Sequence, residues 1–387
     1  MVQPQSILDV VIESPNIKHQ EQATEQSTYF KDQKKESRQS KSSILANINA
    51  SYFRICISLG AQSLLWKKLS EKTDISPTFN NLFINKLPST AFLLMWCLSL
   101  GVLVCLSCLY TMRCIFYLKM VKAELKHHVG VNYLFAPWIS WLLLLQSAPS
   151  FIFRNKYCYG YVWWLLIIPV IGLDVKVYGQ WFTTEKRFLS MVANPTSQLS
   201  VIGNFVGAHA AIKMGWTETG TCLFTLGLAH YMVVFITLYQ RLSGSNHLLP
   251  SKLRPVFFQF VATPSMASLA WKSINGCFDI QCKMLFFLSL FLFTSLVSRP
   301  MLFKKSVKEF SVAWWAFSFP VTFLALASTT YAQQVKNVTA TIMAAILSLI
   351  SVLLFLFLLL LSTIKIDLLL TNPILKFSND PGSKIVR

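Results

Sequence analysis

Long apolar runs alternate with short polar segments over most of the chain. Ten such runs follow residue 50, and each is close to the ~20 helical residues that cross ~30 Å of hydrocarbon. The runs lack the alternation of apolar and polar residues that is typical of strands. Because backbone amides cannot stay unpaired in lipid, helices are the expected spanning structure. The predicted spans are 51–70, 89–112, 132–151, 160–182, 196–214, 220–240, 255–275, 284–303, 310–334 and 338–364.

The two ends of the chain do not share this pattern. Residues 1–50 are rich in Gln, Ser, Lys and Glu, with six basic and six acidic side chains, so they cannot bury a core. We therefore expect a disordered cytoplasmic N-terminal tail over 1–50, a ten-helix membrane domain over 51–365 and a cytoplasmic C-terminal tail over 366–387. The opening residues are polar, so no cleavable signal peptide is expected and the first span should act as the signal. Short loops between the spans predict antiparallel neighbours.

Composition and charge narrow the class of protein. The chain has 387 residues, of which 54% are hydrophobic and 13% charged; a soluble domain usually carries ~25% charge. The net charge of +19 does not indicate nucleic acid as a partner, because the basic residues fall between apolar runs and not on one folded face. With the N-terminal tail placed inside, 23 Lys and Arg lie on the cytoplasmic side and 10 on the other. The positive-inside rule then places both termini in the cytoplasm.

Residue types that carry enzyme chemistry are not grouped in this sequence. It contains no phosphate-binding Gly loop, HExxH motif, nucleophile elbow or dense His/Cys/Asp cluster. We therefore expect no enzyme activity, no cofactor and no metal. The ionisable residues inside the predicted spans are Arg54, Asp174, Lys176, His209 and His230. Because a proton-coupled carrier usually has carboxylates or His in its bundle, this scarcity favours a passive path.

Prolines are concentrated in three of the odd-numbered spans. Pro137 and Pro149 lie in or near the third span, Pro264 in the seventh and Pro320 in the ninth. Each interior Pro removes an amide donor and bends a helix. Such bends are tolerated where neighbouring helices or water satisfy the freed carbonyls, although ordinary enrichment of Pro in membrane helices explains the pattern equally well.

Six blocks of the sequence resemble the plant slow-type (S-type) anion channel family, which is distantly similar to bacterial tellurite-resistance/dicarboxylate transporters. They occur in order and extend the likeness over about residues 50–365. The blocks are VNYLFAPW at 131–138, DVKVYGQW at 174–181, NPTSQLSVIGNFVGA at 194–208, HYMVVFITLYQRL at 230–242, LRPVFFQFVATPSMASLAW at 253–271 and FSVAWWAFSFPVTFLALAS at 310–328.

This resemblance implies a specific architecture. Ten transmembrane helices would form five hairpins, with the odd helices in an inner ring around a pore and the even helices in an outer ring against membrane lipid. Subunits would associate as trimers, each with its own pore. The family's pore is occluded by a phenylalanine just before a proline on the ninth helix, and the matching residue in this sequence is Phe319, followed by Pro320.

The resemblance also implies a function. We expect a slow, weakly voltage-dependent anion channel subunit that mediates chloride and nitrate efflux across the plasma membrane, as a homotrimer or a mixed trimer with related subunits. The tail is shorter than in the family's best-known guard-cell members. Regulation by protein kinases and a modulatory role in mixed trimers are therefore further alternatives. The bacterial relatives suggest another class, a proton-coupled dicarboxylate/tellurite-type transporter.

Four basic or titratable residues are candidates for charge near the pore. His209 stands where the family generally has a small or apolar residue, and Lys213 follows one turn later. If His209 faces the lumen it adds pH-sensitive positive charge; if it faces a neighbouring helix it is a hydrogen-bonded core residue. Lys304 and Lys305 belong to the basic set at the cytoplasmic mouth, where they would concentrate anions or simply anchor the topology.

Overall fold

The computed structural model describes residues 44–71, 82–127, 129–152, 155–183, 194–244, 251–303 and 310–371. All regular elements within these ranges are helices. Ten of the described helices have thirteen or more residues, and we number them in chain order. They are α1 (Phe53–Ser70), α2 (Leu82–Phe116), α3 (Phe135–Ser147), α4 (Lys156–Thr183), α5 (Gln198–Lys213), α6 (Thr217–Gly244), α7 (Gln259–Asn275), α8 (Ile280–Val297), α9 (Trp315–Val335) and α10 (Val338–Ile364).

Six of the described helices are long and apolar enough to cross a membrane. They correspond to α2, α4, α6, α8, α9 and α10. A seventh span results if the helix Leu118–Lys126 and the segment Gly130–Ser147, which meet at a bend of 105°, are taken as one. The prediction of an all-α membrane protein is confirmed at this level.

The other four long helices, α1, α3, α5 and α7, are mostly buried in the protein. In α5 every residue from Gln198 to Ala208 is buried, and α3 has only thirteen residues. Polar side chains such as Gln62, Asn204 and Gln259 lie fully buried on these helices. A helix surrounded by protein need not be compatible with lipid, because neighbouring helices supply its polar partners. The inner helices α3, α5 and α7 are also short, with 13, 16 and 17 residues, so both length and burial separate them from the exposed spans.

The interior helices form a closed ring. In the described residues α1 contacts α3, α3 contacts α5, α5 contacts α7, α7 contacts α9, and α9 contacts α1. The even-numbered helices pack on the outside, each against the odd-numbered helix that precedes it in the chain. Their exposure agrees with this position: only 11% of the most apolar window of Pro88–Phe116 is buried, whereas 83% is buried for Val312–Val335.

Hydrogen bonds show that the five inner helices run in the same direction. Between α1 and α3, the bonded residues advance from Phe53 and Ser140 to Lys67 and Gln146. The same order holds for the other inner pairs that are linked by hydrogen bonds. These links are Asn132 to Ser197 and Gln146 to Val206, Gln198 to Thr263 and His209 to Ser273, and Ser58 to Trp315 and Gln62 to Thr322.

The packed structure extends beyond the predicted membrane domain at both ends. Ile48, Asn49 and Ala50 are buried, although they belong to the predicted N-terminal tail. At the other end a short helix covers Ile366–Thr371, and the Tyr52 hydroxyl donates a hydrogen bond of 2.5 Å to the Leu369 carbonyl. The two predicted tails therefore each lose several residues to the fold, while residues 1–43 and 372–387 lie outside the described residues.

Close approach of α1 to α3 depends on Gly60. A Cβ atom at this position would lie 3.0 Å from the Leu143 Cβ, which is tighter than normal packing permits. On the exposed surface of α2, a Cβ atom at Gly101 would meet nothing within 4 Å. The contact between α1 and α3 therefore requires a residue without a side chain at Gly60. The outer helix α2 has no such requirement at Gly101.

We predict that Gly60→Leu lowers the stability of the protein, because overpacking a filled contact typically costs about 1–3 kcal/mol. The apparent melting temperature of the detergent-solubilised chain measures the effect. Gly101→Leu adds the same side chain on the exposed face of a helix and should leave the melting temperature nearly unchanged. Equal melting temperatures for the two variants would show that the packing between α1 and α3 can yield.

Candidate functional site

The N-terminal ends of the five inner helices meet at one end of the ring. Each inner helix is preceded by a short helical turn, and these turns also contact one another in a closed cycle. We call them the entrance turns. They are Ala50–Tyr52, Gly130–Tyr133, Pro195–Ser197, Ser251–Phe258 and Val312–Trp314.

Two of the entrance turns begin with the same local structure. The Asn49 Oδ1 accepts a hydrogen bond of 3.1 Å from the Ser51 amide, and the Asn194 Oδ1 accepts one of 2.9 Å from the Thr196 amide. Asn is a favoured N-cap because its short side chain satisfies an otherwise unpaired amide. Pro195 occupies the first position of its turn, where the missing amide hydrogen is not needed.

The convergence of five N-termini produces a positive potential. The aligned peptide dipoles of a helix place roughly half a positive charge at its N-terminus, and the exposed amides of that end can donate to an anion. Five such ends surround the same space. The entrance end of the ring is therefore suited to negative ions and unsuited to cations.

Several buried donors near the entrance turns have no hydrogen-bond partner of acceptable geometry among the described residues. They lie on or next to the first turn of different inner helices. They are the three guanidinium nitrogens of Arg54, the Tyr133 hydroxyl, the Nε2 atoms of Gln198 and Gln259, and the Ser311 hydroxyl. Since buried polar groups are normally paired, these donors mark a polar interior that water or an anion can satisfy.

Phe319 lies in α9 beyond the entrance turns. Its side chain is fully buried, and its ring centroid is 6.1 Å from that of Phe323, one turn later. The Ser58 hydroxyl donates to the Trp315 carbonyl at 3.3 Å, and Gln62 donates to Thr322 at 3.1 Å, so Phe319 lies between these two levels of α1. The ring of Phe319 is thus embedded among the inner helices about one turn, ~6 Å, beyond Trp315.

The start of α1 is held by a buried ion pair. The Arg113 Nη1 contacts the Glu124 Oε2 at 3.0 Å, and both side chains are 1% exposed. Arg113 also donates to the Ile48 carbonyl at 2.7 Å, and the other oxygen of Glu124 accepts from the Ala50 amide at 3.0 Å. Glu124 therefore caps the first entrance turn and complements the positive end of α1.

Comparison with known proteins places this architecture in a family. Residues 47–363 match the SLAC1 family model, which is described as voltage-dependent anion channel. The chain belongs to the SLAC1 family. It is 54% identical over 343 residues to the S-type anion channel SLAH1 of Arabidopsis thaliana, covering 88% of each chain. It is also 54% identical over 320 residues to S-type anion channel SLAH4 from the same plant, covering 83% of this chain and 84% of the relative.

A longer relative completes the comparison. The guard cell S-type anion channel SLAC1 of Arabidopsis thaliana is 45% identical over 300 residues, which are 77% of this chain and 52% of that protein. The resemblance inferred from the sequence blocks is therefore confirmed. The SLAC1 family is one of anion channels and not of enzymes, as predicted.

The four candidate prolines of this SLAC1-family chain have different surroundings. Pro264 and Pro320 lie inside α7 and α9, where each removes an amide donor from the helix. Pro137 is the third residue of α3, so its missing amide hydrogen falls in the first turn, where no partner is needed. Pro149 follows the end of α3 at Ser147. The prediction that Pro149 bends the third helix is therefore wrong, because the helix has already ended.

The basic candidates are spread over several regions. The His209 Nδ1 lies 2.8 Å from the Ser273 hydroxyl and 3.2 Å from the Leu269 carbonyl, both on α7, as expected for a residue that faces a neighbouring helix. Lys213 is exposed at the end of α5. Lys304 and Lys305 lie outside the described residues, so their role at the cytoplasmic mouth stays a prediction.

Asp174 takes part in a polar contact between three helices. Its carboxylate accepts hydrogen bonds from the Ser200 hydroxyl and, at 2.8 Å, from the Asn204 amide. Ser200 also lies 2.9 Å from the His230 Nδ1. These bonds join α4, α5 and α6 on the outer side of the ring, so Asp174 is used in packing. No three His, Cys, Asp or Glu side chains within the described ranges are placed to hold a metal ion.

The sequence alone marked Arg54 as a charge inside a span but gave it no role, and Arg113 and Glu124 fall between the predicted spans 89–112 and 132–151. A charge inside a membrane segment is itself a signal of function. Tyr133, Gln198 and the remaining entrance donors carry no such signal, because Tyr and Gln are common in helices. Only the ring brings them together.

We predict that Glu124→Ala destabilises the protein by about 3–5 kcal/mol, because it leaves the Arg113 charge buried without a partner. Thermal unfolding in detergent measures this loss. The matched control is Glu71→Ala, which breaks the exposed pair of Glu71 with Lys68 and should have almost no effect, since exposed ion pairs contribute little. A Glu124→Ala protein as stable as the control would show that Arg113 is solvated.

Proposed function

We propose that this chain is a pore-forming subunit of a plasma-membrane S-type anion channel that passes chloride and nitrate down their gradients, with slow and weakly voltage-dependent kinetics. The observation that carries the proposal is the closed ring of five parallel inner helices, whose N-termini and unpaired donors surround one end. Such a ring attracts anions at its mouth and offers them hydrogen bonds inside.

The same proposal accounts for the ten helices. Five hairpins, each made of an inner and an outer helix, would span the membrane with the outer helices against lipid. The excess of Lys and Arg on the side of both termini supports an orientation with the entrance turns at the cytoplasmic face. Anions leaving the cell would then meet the positive ends of the inner helices first.

Phe319 is the proposed gate. Its aromatic ring lies among the inner helices, where it would exclude both ions and water from a narrow apolar segment. Pro320 follows it and removes the amide that would otherwise donate to the Ala316 carbonyl. The backbone of α9 next to the gate is therefore less strongly held than a regular helix. Motion of the aromatic side chain of Phe319 would then open the path at a low cost in free energy.

Assembly and regulation complete the proposal. Trimers of this chain, or mixed trimers with related channel subunits, would carry one pore in each subunit. The chain could also act as a modulatory subunit that conducts little alone, with kinases acting on the basic, Ser-rich N-terminal segment. Co-expression with a longer-tailed relative, compared with expression alone, distinguishes these two roles. Conduction by the chain on its own would contradict a purely modulatory role.

We predict that Phe319→Ala gives constitutive anion current even where the wild-type chain is silent. Removing the ring widens the apolar segment and lets water and anions enter. Phe319→Leu keeps apolar bulk and should retain more of the block. Voltage-clamp recording in chloride and nitrate baths, with surface expression measured in parallel, tests both variants.

The control for the gate is Phe355→Ala. Phe355 is also buried, but it packs against Trp315 from α10 with ring centroids 6.0 Å apart, outside the inner ring. Its truncation should cost about 3–5 kcal/mol of stability without adding current. A well-expressed Phe319→Ala protein with no current, or an equal current from Phe355→Ala, would overturn the gate assignment.

We predict that the current through Phe319→Ala reverses at the equilibrium potential of the permeant anion and does not shift with the proton gradient. An electrically passive pore has no coupled proton, whereas a proton-coupled dicarboxylate carrier would show such a shift. The measurement is the reversal potential at two external pH values and two chloride concentrations. A reversal potential that follows pH would favour the carrier.

A further inference from the structure

Arg54 is a fully buried charge with no anionic partner among the described residues. It is 0% exposed, and none of its three guanidinium nitrogens has a hydrogen bond of acceptable geometry. The buried carboxylate of Glu124, at the start of α1, is already bound by Arg113 and by the Ala50 amide. A buried ion without a counter-charge is costly, so the position of Arg54 requires an explanation.

The direction of the Arg54 side chain follows from its neighbours on α1. Ile55 and Leu59 pack on the outer side of α1, in a cluster with Leu106 of α2 and Phe355 of α10. Arg54 is rotated about 100° from Ile55 and about 140° from Leu59 around the helix axis. Its side chain therefore leaves α1 from the side that faces the other inner helices.

The level of Arg54 is between the entrance turns and Phe319. It is the second residue of α1, one turn before Ser58, whose hydroxyl marks the level of Trp315. Phe319 is one turn beyond Trp315. Arg54 and Phe319 are thus separated by about 12 Å along the axis, with Arg54 on the side of the helix N-termini.

The Arg54 guanidinium lies over the ring of Tyr133. The Arg54 Cζ lies 4.3 Å from the centroid of the Tyr133 ring, a cation–π contact that stabilises the charge. A guanidinium carries five N–H donors, and the geometry gives none of the three Arg54 nitrogens a hydrogen bond, so they can bind another acceptor. The Tyr133 hydroxyl has no hydrogen bond of acceptable geometry but lies near enough to interact with Arg54, so it is a second donor at the same place.

We propose that Arg54 and Tyr133 form a binding site for a small monovalent inorganic anion inside the ring, below Phe319. A planar guanidinium presents two parallel N–H groups, which match two oxygens of a planar oxyanion such as nitrate. Chloride binds the same donors through charge without this match. The site holds an anion close to the gate on the cytoplasmic side. Its role in permeation rests on the proposed channel function, whereas anion binding at Arg54 and Tyr133 does not depend on that function.

The experiment measures binding to the purified full chain, independently of current. The apparent melting temperature is followed while gluconate is replaced by nitrate or chloride at constant ionic strength, since an anion that binds the folded state raises it. The variants are Arg54→Met, Arg54→Lys and Tyr133→Phe. Lys119→Met, which removes an exposed charge from the helix Leu118–Lys126, is the control for non-specific salt effects.

Three results are expected. In gluconate, Arg54→Met melts at or above the wild-type temperature, because a buried unpaired charge has been removed. Its apparent dissociation constants for nitrate and chloride rise at least about tenfold, while Lys119→Met titrates like the wild type. Arg54→Lys retains chloride binding but loses the preference for nitrate, because a point charge replaces the planar fork. Tyr133→Phe weakens both anions by a smaller factor.

Other outcomes would overturn the site. If the melting temperature of Arg54→Met depends on nitrate and chloride as in the wild type, the charge has only a structural role. If its melting temperature is also lower, that structural role is the contact of Arg54 with Tyr133. If Arg54→Met does not fold, the ratio of the apparent dissociation constants for nitrate and chloride is compared in Arg54→Lys and Tyr133→Phe. A ratio equal to that of the wild type in both variants would overturn the site. Wild-type binding without any current in Phe319→Ala would leave the site standing and refute the channel. Identical current in Phe319→Ala and Phe319→Ala/Arg54→Met would leave the channel supported and refute the role of the site in permeation.

Discussion

Five helices that begin inside a protein leave their first amide groups without helical partners, and these groups meet at one end of the inner ring. The structure satisfies some of them through nearby side chains. Asn49 and Asn194 cap two of the entrance turns, and Glu124 binds the Ala50 amide from a different helix. The rest of the structure depends on this arrangement. Because the inner helices are parallel, their first amides all lie at one end of the ring and need hydrogen-bond partners there.

The parallel direction of the inner helices also separates two kinds of helix. Each inner helix must be followed by an outer helix that returns the chain to the starting side. The outer helices carry the apolar surface, as in α2, while the inner helices carry buried Gln, Asn, Ser and Thr side chains. Selection for anions then needs no row of fixed charges, since the helix ends and polar donors already favour negative ions.

Two buried arginines near the entrance turns have different partners. Arg113 is neutralised by Glu124 and also holds the Ile48 carbonyl, so it fixes the beginning of α1. Arg54 lies a few residues later and has only the aromatic face of Tyr133. The first pair belongs to the framework of the fold. The second charge is placed where a mobile anion can compensate it.

The sequence by itself determined the all-helical membrane class, the positions of the long helices and the family, because apolar length, charge asymmetry and ordered sequence blocks are properties of the chain alone. Through the family resemblance it also pointed to Phe319, followed by Pro320, as the gate, which stays a prediction. It misplaced Pro149 within a helix and gave no role to Glu124, which falls between two predicted spans, since neither helix ends nor burial follows from local pattern. Only the tertiary structure decided which helices form the ring, that Glu124 caps α1, and that Arg54 and Tyr133 meet. The physical reason is that these contacts join residues 60 or more positions apart, and their pairing depends on the packing of whole helices.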